Sequence, residues 1–285
     1  MKTKMKNKYV SSYIYFKKKR FILLVSIVSF VVTILVVIGV VLMAMGLFHQ
    51  EDSMSTLNLG NTGVEKAETV NQKEAEECNG FLLDVPYLSQ EGEYPTACEV
   101  VSAVMVLSYY GYHVSIDDFI DDYLPKADIF VDAETGLLTS TSPTQAFIGD
   151  PRSSGGYGCY APVIVSALND AVGNTALAMD TTNTDIDTLV DNYVKRNIPV
   201  LLWASINLAP TSVGDSWILE DTGEWFTWTA GEHCMVLVGA DQNYYYFNDP
   251  YNSNGIVKYH KNLVTKRWEE LGKQSVVLVP TAISK

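Results

Sequence analysis

The stretch Tyr94-Pro95-Thr96-Ala97-Cys98-Glu99 leads into Val100, Val101, Ala103, Val104, Met105 and Leu107, and the run closes at Tyr109-Tyr110-Gly111. A proline-bearing loop with a threonine cap, an apolar run and a glycine stop predict a buried helix over about 98–110. The run is rich in valine, so its apolar length rather than its helix propensity carries this reading. Cys98 then lies in the first helical turn, where unpaired backbone N–H groups and the helix dipole favour a thiolate. A cysteine there is either a nucleophile or a small core residue, because free cysteines are among the most buried residue types.

Outward from this stretch, the N-terminus sets the compartment. Lys2, Lys4, Lys6, Lys8, Lys17, Lys18, Lys19 and Arg20 form a basic head with no acidic residue, and Phe21 to Phe48 carries no charge. About 20 apolar residues span a bilayer, so residues 21–48 are expected to form a retained transmembrane anchor. A cleaved signal peptide is the rival, but its apolar core is usually only about 7–15 residues. The basic flank, residues 1–20, is expected in the cytoplasm and everything after His49 outside. Beyond the head, 12 basic residues face 33 acidic ones, an excess of 21 negative charges. That balance excludes nucleic acid or anionic lipid as the main partner of the outer part. Residues 49–80, rich in Glu, Asn, Thr, Ser and Gln, read as a flexible stalk. Residues 81–285 read as one domain.

Within that domain, strands are expected at Leu82–Tyr87, Pro199–Ala204, Glu232–Ala240, Tyr244–Asn248 and Ser275–Val279. Helices are expected from Ser115 to about Tyr123, over Pro162–Ala171, Asp185–Arg196 and Asn262–Leu271. Lys126–Tyr160 is long and loop-like, as functional segments of compact domains tend to be. Leu208–Ala230, with Trp217, Trp225 and Trp228, reads as irregular. Helices first and strands later argue α+β.

A thiolate needs a base. His49, His113 and His260 read as solvated residues, whereas His233 starts the buried run Gly231-Glu232-His233-Cys234-Met235-Val236-Leu237-Val238-Gly239. Strand alternation puts His233 with Met235 and Leu237 on one face and Cys234 on the other, which makes Cys234 a core residue. Folding back at Asp241-Gln242-Asn243 brings residues near 249 opposite His233. A one- or three-residue connection presents Asp249 on the histidine's face, and a two-residue connection presents Asn248. Either can orient an imidazole, and Asn248-Asp249-Pro250 also reads as a plain turn.

Five segments together resemble the C39-like, papain-like cysteine peptidase family. They are Leu83-Asp84-Val85-Pro86-Tyr87-Leu88-Ser89-Gln90, Pro95-Thr96-Ala97-Cys98-Glu99, Gly158-Cys159-Tyr160-Ala161-Pro162-Val163-Ile164-Val165, Gly231 to Gly239, and Tyr246-Phe247-Asn248-Asp249-Pro250. The resemblance covers about residues 81–280. It implies a papain-like α+β fold, with the nucleophile helix packed on an antiparallel sheet. It also implies Cys98 as nucleophile, His233 as general base, Asp249 as orienting carboxylate and Gln90 as a donor to the oxyanion. Ala97 stands where the family often has glycine. The better known members remove double-glycine leaders on ABC transporters inside the cell, but this chain carries no P-loop and its domain is expected outside.

The sequence therefore predicts a membrane-anchored extracellular hydrolase acting on a peptide or isopeptide bond of a peptide or protein substrate, without metal or cofactor. Zinc is the weaker reading, since no C-x-x-C pair exists and His233 and Cys234 face opposite ways. Cys78 and Cys159 are either a disulfide pair or free thiols. The alternative is a catalytically silent domain that binds peptide or cell-wall material through the Trp-bearing segment.

Overall fold

The structure, a computed structural model, describes residues 68–77, 80–251 and 255–281, all within one compact unit. The basic head, the anchor expected at 21–48 and the stalk as far as residue 67 lie outside the described residues. Among the described residues no helix is long and apolar enough to cross a membrane. The end of the expected stalk is structured: strand β1 (Glu68–Thr69) and helix α1 (Gln72–Glu77) precede β2 (Phe81–Leu82).

The predicted nucleophile helix is α2 (Cys98–Tyr109), and every residue from Cys98 to Leu107 is buried. Ser115 caps the next helical segment, Ile116–Asp118, with a reciprocal capping box through Asp118, as its serine and acidic first turn predict. This turn passes into a π-helical turn, Phe119–Tyr123.

The long loop expected at 126–160 contains four short strands. They are β3 (Lys126–Ala127), β4 (Phe130–Val131), β5 (Leu138–Ser140) and β6 (Phe147–Ile148). Helix α3 (Ala161–Val172) has proline in its first turn, and β7 (Ala176–Asp180) follows. Helix α4 (Ile186–Asn192) runs toward β8 (Val200–Ser205), which is buried throughout.

The Trp-bearing segment expected to be irregular is instead a twisted hairpin, β9 (Ser212–Leu219) and β10 (Trp225–Ala230). Its cross-strand register and its aromatic residues explain the difference. Trp217 and Trp228 are buried against Ile148, Tyr157, Tyr160 and Phe226, making a second small core. The chain closes with β11 (Glu232–Ala240), β12 (Tyr244–Asn248), β13 (Ile256–His260), α5 (Lys261–Glu270) and β14 (Ser275–Pro280).

The main sheet has eight strands, in the order β1-β13-β12-β11-β8-β14-β7, with β2 also paired to β11. All pairings in it are antiparallel. Strand β11 is its centre, and all nine of its residues are buried. Residues buried on both faces and on both edges leave no room for error in register. Val236 faces Asn248 and Leu237 faces Phe247, but Gly239 faces Tyr246, so Val238 is the extra residue of a β-bulge.

Gly239 lies between Tyr246 on one side and Leu82 on the other. A Cβ there would come within 2.2 Å of the Phe81 carbonyl oxygen and 2.9 Å of the Tyr246 ring. Gly239→Ala is therefore expected to push β2 off β11 and to lower stability by about 1–3 kcal/mol, the usual cost of overpacking. Thermal denaturation followed by circular dichroism reads this, and an unchanged Tm would show that β2 yields without cost.

Candidate active site

The bulge at Val238 decides which side chain meets His233. At the turn, Asp241 N–H donates to the Tyr244 carbonyl, so the connection is the two-residue kind that presents Asn248. The extra residue at Val238 reverses the parity below the turn, and Asp249 takes the histidine's face instead. His233 Nε2 lies 2.7 Å from Asp249 Oδ1, with both side chains almost fully buried. The Asp249 carboxylate also accepts from the Tyr251 backbone N–H at 3.0 Å and from the Tyr259 hydroxyl at 3.1 Å. A carboxylate oxygen can only accept, so Nε2 donates in this bond and Nδ1 is the ring nitrogen left for another partner. Asn248 turns the other way, and its amide donates to the Val85 carbonyl at 2.9 Å.

Helix α2 carries Cys98 as its first residue. Its N-cap is Ala97, not Thr96, and Ala97 has φ −102° and ψ 28°. No positive φ is required there, so alanine meets the backbone's demand where the family often has glycine. Thr96 instead ties the loop before the helix to the 150s segment, its hydroxyl donating to the Ser153 carbonyl at 3.0 Å. Four residues after Cys98, and so on the same helical face, Ser102 donates to the Cys234 carbonyl at 3.1 Å. That bond docks the helix on β11 beside the histidine.

The thiol's surroundings differ from the expectation of a thiolate. Cys98 is 5 % exposed, and its Sγ donates to Glu99 Oε2 at 3.2 Å. Burial first, then the negative charges of Glu99 and Glu232, push the Cys98 thiol well above its ordinary range. Burial likewise raises Glu99, to about 7, although the Cys159 N–H bonded to its Oε1 at 2.6 Å opposes the rise. Burial and the neighbouring Glu99 push Glu232 well above the usual carboxylate range. These two buried acids were not singled out in the sequence. The signal was available: Glu99 is the one charge in an otherwise uncharged helical run, and Glu232 starts a buried strand.

Gln90 is buried in the loop before α2. Its backbone N–H donates to the Pro250 carbonyl and its side-chain amide to the Pro95 carbonyl at 3.2 Å. The loop of Gln90 is thus tied both to the turn that carries Asp249 and to the approach to Cys98. Cys159 and Cys234 are buried free thiols, so the Cys78–Cys159 pairing is not formed. Cys78 itself lies outside the described residues. His113 and His260 are exposed, in keeping with their reading as solvated side chains.

Residues 82–276, more than half of the chain, match the Peptidase_C39 like family. The chain belongs to this family. It is 28% identical over 181 residues to the uncharacterized protein YvpB of Bacillus subtilis (strain 168), covering 64% of this chain and 68% of that one. Among solved structures it is similar to a protein assigned as a C39-like peptidase from Bacillus anthracis. That likeness has TM-score 0.60 and 27% identity, and it covers 70% of this chain and 98% of that one. The domain is therefore a cysteine peptidase-like one of mixed α+β, C39-like fold.

Because Asn248 and Asp249 face opposite ways, their substitutions separate cleanly. Asp249→Ala is expected to lower turnover by roughly 10²–10⁴, the usual contribution of acid–base catalysis. Asn248→Ala is expected instead to cost about 1–3 kcal/mol of stability by leaving the buried Val85 carbonyl unpaired, with no comparable loss of turnover. Parallel melting curves and turnover measurements check this. The reverse pattern would assign the orienting role to Asn248.

Proposed function

We propose that this protein is a cysteine hydrolase of peptide or isopeptide bonds, held at the outer face of the cell membrane by an N-terminal anchor. The observation that carries the chemistry is the buried His233–Asp249 pair on the strand to which Ser102 docks the Cys98 helix. In this reading His233 Nδ1 takes the Cys98 proton as the sulfur attacks the substrate carbonyl, and Asp249 stabilises the imidazolium that forms. The histidine then returns the proton to the leaving amine. Water hydrolyses the resulting thioester with the same histidine as base.

A thiol held protonated at rest suits this order of events, in which the proton moves during attack. The Gln90 amide spends one hydrogen on Pro95 and keeps a second for the oxyanion, alongside the first N–H groups of α2. The anchor part of the reading rests on the uncharged run Phe21–Phe48 behind its basic head. For the alternative, a silent domain that binds peptide or cell-wall material through the Trp-bearing segment, burial of Trp217 and Trp228 leaves Trp225 as the exposed indole of the three.

The chemistry is tested with a set of peptidyl chloromethyl ketones on the full-length protein. Alkylation is expected at Cys98 ahead of Cys159 and Cys234, and His233→Ala is expected to slow it at least tenfold, in keeping with the lost base. Equal rates in parent and variant would leave the binding domain as the better account.

The topology is tested by adding protease to intact cells. Cleavage between residues 49 and 67 with release of the domain is the expected result. A domain protected until the membrane is opened would overturn the outward orientation.

A further inference from the structure

Behind the nucleophile, Cys98, Glu99 and Glu232 bring one thiol sulfur and two carboxylate oxygens within 4.8 Å of one another, all three residues buried. Glu99 feels the nearby His233, whereas the charge that acts on Glu232 is that of Glu99. Glu232 is 6 % exposed, and its Oε1 has no hydrogen-bond partner among the described residues. A buried carboxylate oxygen without a donor costs about 1–3 kcal/mol or more, so the cluster is a destabilised pocket of negative charge waiting for a cation or a proton. Gly158 closes it on one side: a Cβ at this residue would lie 2.6 Å from Glu99 Oε1, 3.1 Å from Glu232 Oε2 and 3.2 Å from the Trp228 ring. The absence of a side chain at 158 is what lets two carboxylates share this space.

We propose that Cys98, Glu99 and Glu232 form a site for a thiophilic divalent cation of the zinc type, whose binding takes the nucleophile out of service. The donor set selects the ion class. A thiolate is a soft ligand that suits zinc, whereas calcium takes about 6–8 oxygen ligands and magnesium demands an octahedron of oxygens. Zn–S bonds of about 2.3 Å and Zn–O bonds of about 2.0–2.2 Å set tetrahedral ligand atoms about 3.5 Å apart. Cys98 Sγ and Glu99 Oε2 already stand 3.2 Å apart. Coordination releases the thiol proton to solvent, and water fills the fourth position, as in open three-ligand zinc sites. The ion binds the sulfur that would attack the substrate, so metal-bound protein is inactive. That consequence rests on the hydrolase reading, whereas the binding itself does not.

The test uses the full-length protein with zinc, cobalt or calcium ions alone. Equilibrium dialysis is expected to leave one zinc per chain. Cobalt is expected to give a thiolate-to-metal charge-transfer band that disappears in Cys98→Ser. Zinc, and not calcium, is expected to protect Cys98 from iodoacetamide, each variant being compared with its own metal-free rate. The isosteric Glu232→Gln is expected to keep the parent's circular dichroism spectrum and to weaken zinc binding at least tenfold.

Zinc held equally well by Glu232→Gln, or cobalt bound without the charge-transfer band, would overturn the site. Failure of the hydrolase reading shows separately, as slow chloromethyl ketone labelling of metal-free protein, and would leave the zinc measurements standing.

Discussion

A buried hydrogen bond docks the helix of Cys98 on the strand of His233. Ser102 Oγ reaches the Cys234 carbonyl at 3.1 Å from within a helix whose first ten residues are buried. An apolar helix lying on an apolar strand can slide or rotate at little cost, because dispersion contacts are undirected. A buried hydroxyl bonded to one particular carbonyl removes that freedom, since breaking it strands a polar group in a dry interface. Ser102 shares its helical face with Cys98, and Cys234 is the neighbour of His233. The bond therefore sets the height of the sulfur against the strand that carries the imidazole.

The same strand pays opposite costs on its two faces. On one, the His233–Asp249 pair is buried but well supplied with partners, for Tyr251 N–H and Tyr259 OH complete the carboxylate's shell. Leaving one member of such a buried network unpaired typically costs about 1–3 kcal/mol. On the other face, Glu232 lacks a donor for Oε1, while Glu99 takes the Cys159 N–H and the Cys98 thiol. A fold selected for stability alone would put apolar side chains in that place. Burial raises Cys98, Glu99 and Glu232 together, a perturbation of the kind that gathers at functional sites.

Much of this was legible in the sequence, and the exceptions have physical causes. The helix at Cys98 followed from apolar length and a glycine stop, and the burial of β11 from nine residues with only two formal polar side chains before Cys234. Asp249 was left open against Asn248 because parity depends on the whole path between strands. The turn alone gives Asn248, and the bulge at Val238, invisible in a run of valine, leucine and glycine, gives Asp249. The hairpin of β9 and β10 was missed because Gly214, Asp215 and Ser216 interrupt its alternation, while Trp217 and Trp228 turn inward to a core that exists only once Ile148 and Tyr157 arrive from the long loop. Strands β7 and β13 are five residues each and acquire their meaning only from their neighbours in the sheet.

The long segment 126–160 is tied down at its middle and at its end. Its middle is tied to the helix approach by the Thr96 hydroxyl on the Ser153 carbonyl. Its end is fixed twice at Cys159, whose N–H binds Glu99 and whose carbonyl accepts from Trp203 Nε1 at 3.1 Å. Between these ties Gly158, at φ +145°, passes against both carboxylates, and Tyr160 stacks flat on Trp228. Trp203 belongs to β8, the strand paired with His233's own. The loop is thus anchored to the approach of the helix by the Thr96 hydroxyl, to the helix itself by Glu99, and to the sheet by an indole. A segment held at these three points packs against the acids beside Cys98. Their unusual chemistry therefore belongs to the loop as much as to the residues that display it.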